Sequence, residues 1–179
     1  MINDKNTGLI LVDVQGKLAS MVFESEVLIT NIEKLIKGCQ ILGIPIIWLE
    51  QYPKGLGKTV PELSKLLINQ SPIEKRFFNA LEEEKVENEI LKLKKSNWLV
   101  CGIEAHICVY QTVMGLLAKK YYVEVVADCI SSRKKTSIDI SLNKLSEKGA
   151  NITNVEMCLY ELINDSKRDV FKKVLAIIK

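Results

Sequence analysis

The chain has 179 residues, 47% of them hydrophobic, and 25 Lys and Arg against 22 Asp and Glu give a net charge of +3. That length and apolar content suit a single domain over 1–179 with a full core. The interleaved charges, as from Glu82 to Lys95, exclude a basic nucleic-acid-binding block, and no apolar run is long enough to span a membrane.

Gly8 to Asp13 is a short apolar run ending in an acid, which predicts a strand buried on both faces. Val27 to Leu42 has apolar residues at helical spacing, and Gly43 stops it. Ile44 to Leu49 is a second strand with Glu50 at its end. Gln51 to Pro61 has two glycines and two prolines and is expected to be a loop, with Pro61 opening a short helix to about Leu67. Ile73 to Phe77 holds a short strand ending near Lys75.

The second half repeats the alternation. Glu82 to Lys95 is a charged amphipathic helix, Trp98 to Gly102 a buried strand and Ile107 to Lys120 a helix. Val123 to Ala127 is a strand and Lys134 to Lys148 a helix stopped by Gly149. Ala150 to Thr153 is a last strand before one or two terminal helices. There is no repeat and no linker. Strands alternating with helices predict a parallel sheet covered on both faces. Ligands bind such sheets beyond the carboxyl ends of the strands. Asp13, Glu50, Lys75 and the loop before Cys108 all fall there.

Five cysteines stand at 39, 101, 108, 129 and 158, with no C-x-x-C pair. Disulfides are not expected, and most of these thiols read as small buried hydrophobes. The amino terminus, Met-Ile-Asn-Asp-Lys, lacks the apolar run of a secretory signal, so a soluble cytoplasmic protein is expected. The one histidine, His106, excludes a His-rich zinc site within the chain. It also stands two residues from Cys108, so on a helix the two side chains diverge by roughly 200°. A proton acceptor for the thiol must therefore be a carboxylate or a lysine.

Cys108 lies in Cys-Gly-Ile-Glu-Ala-His-Ile-Cys-Val-Tyr-Gln-Thr, between a strand and a helix. A thiol on the first helical turn faces the positive end of the macrodipole and is expected to ionise more easily. Asp13 is placed to take its proton, and Lys75 to keep that carboxylate charged. Backbone N–H groups at Glu104 and Cys108 can face an oxyanion. The expected chemistry is hydrolysis of an amide-like bond through a thioester. Each residue also has a plainer reading: an aspartate capping a loop, a solvated Lys75–Arg76 pair, a cysteine packed in a core. Gln15, Gln51, Tyr52, Phe77, Phe78, Asn79 and His106 follow the strand ends or flank Cys108 and are candidates for the pocket wall.

Leu-Val-Asp-Val-Gln at 11–15, Glu-Lys-Arg-Phe at 74–77 and Gly-Ile-Glu-Ala-His-Ile-Cys-Val at 102–109 resemble the three signature regions of the isochorismatase-like cysteine hydrolases. Residues 50–63 resemble its isochorismatase-domain-containing subgroup, and Asp128 to Arg133 also fits. The resemblance spans about the whole chain. It implies a three-layer α/β/α Rossmann-like sandwich with about six mainly parallel strands, and common homo-oligomers. It implies a triad of Asp13, Lys75 and Cys108, and a cis peptide between Ile103 and Glu104. Nicotinamidases of the family carry an Asp-x-His metal motif where this chain has Glu50-Gln51-Tyr52, so neither a metal nor another cofactor is expected. The leading expectation is a metal-free cysteine hydrolase of a small amide or related C–N bond. The alternatives are hydrolysis of a vinyl ether or ester in the same pocket, and an idle site in an oligomeric scaffold.

Overall fold

The computed structural model describes residues 2–179. The first strand, β1 (Thr7–Val12), is buried along its whole length. Leu9 and Leu11 enter one apolar layer and Ile10 and Val12 the other, which is why the run shows no polar alternation. In chain order there follow α1 (Gly16–Met21), α2 (Ser25–Ile41), β2 (Ile46–Gln51), α3 (Pro53–Leu56), α4 (Pro61–Ser64) and β3 (Ile73–Lys75). A 3-10 turn (Ala80–Glu82) leads to α5 (Glu84–Leu93) and β4 (Asn97–Ile103). A π-helical turn (Ala105–Val109) opens into α6 (Tyr110–Ala118), and β5 (Tyr122–Ser131), α7 (Lys135–Glu147), β6 (Asn151–Thr153), α8 (Val155–Ile163) and α9 (Phe171–Ile178) complete the chain.

Among the described residues six strands form one sheet in the order β3-β2-β1-β4-β5-β6, and every neighbouring pair is parallel. Helices cover both faces. Leu28, Ile32, Leu35 and Ile36 of α2 pack with Leu159 of α8 and Val174 of α9 on one side. Val86 and Ile90 of α5, Val113 and Leu116 of α6 and Leu145 of α7 close the other. Each such buried aliphatic side chain contributes about 1.5–3 kcal/mol of transfer free energy, so the two layers hold the sheet as a rigid platform.

Several elements differ from the sequence reading; β5, for one, runs on to Ser131, four residues past the expected end at Ala127. The segment from Gln51 to Pro61 is not all loop, because α3 forms a single turn there. The helix α1 shows no readable period, since it has six residues and buries only Ala19. The expected helix from Ile107 begins instead as a π-helical turn at Ala105.

The central pairing fixes the site. Val12 lies opposite both Leu49 and Gly102, so β1 ends between β2 and β4, which run on to Gln51 and Ile103. Gly102 takes φ +117°, and a Cβ there would meet the Val12 carbonyl oxygen at 2.0 Å. Gly102→Ala is therefore expected to cost about 3 kcal/mol or more, read as a lower urea midpoint. A loss under about 1 kcal/mol would show that the β1–β4 contact is looser than this geometry.

Candidate active site

Asp13, Lys75 and Cys108 come from three different elements and meet beyond the carboxyl ends of the strands. Asp13 directly follows β1 and adopts a left-handed backbone, φ 51°. Lys75 ends the edge strand β3, opposite Gln51 of β2. Cys108 lies on the π-helical turn, a wide turn of a kind frequent at functional sites. There the Glu104 carbonyl accepts from the N–H groups of both Ile107 and Val109, at 3.0 and 3.3 Å. The Ile103–Glu104 peptide that leads into this turn is cis.

The three side chains are nearly closed off from solvent: Asp13 is 3% exposed, Lys75 1% and Cys108 7%. Lys75 Nζ donates to Asp13 Oδ2 at 2.7 Å, to Gln51 Oε1 at 2.7 Å and to the Phe77 carbonyl at 3.3 Å. An ammonium has three N–H donors, so this one is fully used.

Asp13 Oδ1 is buried without a partner at ordinary hydrogen-bond geometry. The Cys108 thiol is nonetheless close enough for the two groups to shift one another. Burial raises the Asp13 carboxyl above the usual range, and Lys75 pulls against that rise. Burial also pushes the Cys108 thiol up to about 12, with the Asp13 carboxylate adding to the rise and Lys75 opposing it. The expectation of an easily ionised thiol is thus corrected. Loss of solvent and a facing carboxylate outweigh the lysine. At neutral pH the sulfur keeps its proton and faces a carboxylate whose affinity for a proton is raised.

The pocket candidates separate into two groups. Gln15 is fully buried, and its amide donates to the carbonyls of Gln51 and Gly57 and accepts from the Gln51 N–H. Gln51 accepts from Lys75 and donates to the Arg76 carbonyl. Gln15 thus holds the backbone and Gln51 the lysine, and Gln51 also lines a surface hollow with Tyr52 and Arg76. Tyr52, Phe77 and Phe78 are exposed, and Phe77, Phe78 and Asn79 line a surface groove with Arg76, Tyr110 and Met114. Asn79 also caps its turn, accepting from the Leu81 N–H. His106 Nδ1 pairs with Ser132 Oγ at 2.8 Å.

Two supports escaped the sequence reading. Glu50 accepts from the N–H and Oγ1 of Thr59, whose hydroxyl also receives Trp48 Nε1 at 2.7 Å, and this pins the loop over β2. Glu104 accepts from the backbone N–H and Nε of Arg133 at 3.2 and 3.0 Å. Neither pairing has a sequence spacing that announces it. Among the described residues no group of three or more His, Cys, Asp or Glu side chains is arranged to hold a metal ion.

The Isochorismatase domain model matches residues 7–157. The chain belongs to the isochorismatase family. It is 34% identical to isochorismatase domain-containing protein 2 of Danio rerio, over 97% of this chain and 87% of that one. Among solved structures it resembles the MAR1 ribonuclease of Caenorhabditis elegans, with a TM-score of 0.93 and 38% identity over 99% of this chain and 91% of that one. The YcaC gene product of Escherichia coli, described as an octameric hydrolase of unknown specificity, aligns with a TM-score of 0.91 at 22% identity, over 98% of this chain and 87% of that one. This last likeness bears on the fold alone. Family membership and a hydrolase fold thus stand on the whole chain and not on one motif.

Proposed function

We propose that the protein hydrolyses a small amide or related C–N bond through a Cys108 thioester. The observation that carries the reading is the closed Asp13–Lys75 pair, at 2.7 Å, beside the Cys108 thiol. Cys108 Sγ attacks the carbonyl carbon as its proton passes to Asp13. Backbone N–H groups at Glu104 and Cys108 hold the tetrahedral oxyanion. Asp13 then gives the proton to the leaving amine, and the C–N bond breaks to leave a thioester. Asp13 next takes a proton from water, whose oxygen attacks the thioester, and returns it to the sulfur as the C–S bond breaks, releasing the acid and regenerating the thiol and the carboxylate. A thiol that stays protonated until the carboxylate takes its proton suits this base-coupled route. Lys75 steadies Asp13 as the proton moves.

Five unpaired cysteines support a reducing, cytoplasmic setting, and no described helix is long and apolar enough to cross a membrane. The exposed Met21, Phe77 and Phe78 support self-association. The Caenorhabditis elegans relative is described as a ribonuclease, so RNA is the second substrate class to set against amides. The test is a panel of small amides, esters and an RNA oligomer, with intact-mass detection of acyl-enzyme. Amide turnover with a trapped acyl adduct on Cys108 is the expected result. Cleavage of RNA alone, with no adduct, would sink the amide reading.

A further inference from the structure

We infer that Arg133 is a positioning residue for the nucleophile: by pinning the Glu104 carboxylate it fixes the peptide entering the Cys108 turn and neutralises a buried negative charge beside the sulfur. The inference rests on the reading of Cys108 as nucleophile and adds to it a residue that no motif of the triad contains.

The geometry is specific. Glu104 is 6% exposed, and its Oε1 takes both Arg133 bonds, one from the backbone N–H and one from Nε. The Glu104 backbone carbonyl is at the same time the acceptor that starts the π-helical turn. One residue is thus held by its side chain from the loop after β5 and by its main chain from the Cys108 turn. Ser141 Oγ fastens the next carbonyl, Ala105, at 2.6 Å, and Ser132 Oγ fastens His106. Ser131, which pairs with Ile103 across the sheet, donates its hydroxyl to the Phe23 carbonyl at 2.7 Å. The 131–133 segment is therefore a splint along the 103–106 segment, and Arg133 is its charged member.

The charge count gives the sign. Facing Cys108 are Asp13 after β1, Lys75 of β3 and Glu104 of its own loop, with Glu50 of β2 acting on Asp13. Three carboxylates thus stand against one lysine, and Arg133 supplies the second cation. Without it, a thiolate would form next to one more uncompensated negative charge. Glu104 already opposes ionisation of the thiol, so deleting the glutamate charge and deleting the arginine charge must move Cys108 in opposite directions. A purely structural role has no such sign. The Arg133 side chain is 55% exposed, so solvent reduces its effect without reversing it.

The experiment is chloroacetamide alkylation of Cys108 in the folded chain, followed by peptide mass spectrometry at about pH 8.5, where rate tracks thiolate fraction. Arg133→Gln is expected to slow labelling about three- to tenfold and Glu104→Gln to speed it by a similar factor. Arg133→Lys should recover part of the rate, and in a Glu104→Gln background Arg133→Gln should change little. Rates that match the wild type in both single variants, or that move in the same direction, would overturn the inference while leaving the nucleophile reading intact. A wild-type Cys108 that never labels in the folded protein would overturn both. Should Arg133→Gln fail to fold, Glu104→Gln and Arg133→Lys decide the question.

Discussion

Replacing Cys108 by alanine is expected to remove turnover by about 10³-fold or more, because no second nucleophile stands beside Asp13. The fold should survive. The side chain is small, and its neighbours Ala105 and Val109 remain to fill the layer. The readouts are steady-state rate on the substrate found by the panel, loss of the acyl adduct in intact mass, and an unchanged urea midpoint. A Cys108→Ala enzyme with more than about a tenth of wild-type rate would transfer the chemistry to water activated directly by Asp13. That result would favour the vinyl ether or ester reading over the amide one.

Lys75→Met is the larger stability effect. It keeps the length of the side chain and removes its charge, leaving a buried carboxylate with no counter-ion. Breaking such a pair typically costs about 3–5 kcal/mol. The pH dependence has a definite sign. The folded state already holds the Asp13 proton more tightly than the unfolded chain, because burial outweighs Lys75. Removing Lys75 raises that affinity further. The stability linked to Asp13 is then fully present below the unfolded carboxyl value near 3.8 and is lost as pH rises through the higher folded value. Lys75→Met should therefore be close to wild type at low pH and most destabilised at neutral pH, as read by thermal midpoints across a pH series. Adding Asp13→Asn should restore much of the loss at neutral pH. A Lys75→Met penalty that is flat with pH would mean that packing, and not the buried charge, accounts for it.

Much of this was legible in the chain. Apolar runs bounded by Gly43 and Gly149 gave the alternation of strands and helices, and the parallel sheet then put Asp13, Lys75 and Cys108 at its carboxyl end. The ionisation of Cys108 was not legible, since its sign depends on burial and on a carboxylate 95 positions earlier in the chain. The bonds that Gln15 and Gln51 make were hidden for a related reason. An amide at a strand end serves a pocket or a loop equally well, and only its partners decide which. The Glu104–Arg133 bond joins segments brought together by the register of β4 with β5, and the Glu50–Thr59 bond ties β2 to the loop that folds back over it. That register is a property of the assembled sheet. The π-helical turn was hidden because it differs from an ordinary first helical turn only in where its carbonyls point.

The strand that carries Lys75 has three residues and a single hydrogen-bonded neighbour at the margin of the sheet, whereas the strands that lead into Asp13 and toward Cys108 are interior. Sheet margins open at lower free energy than sheet centres. Lys75 therefore sits on one of the two short margins of an otherwise firm scaffold. A brief fraying of three residues would uncouple Lys75 from Asp13 while the rest of the sheet stayed paired. The working lifetime of the site would then be set by one short marginal strand and not by the hydrophobic layers that hold the molecule together.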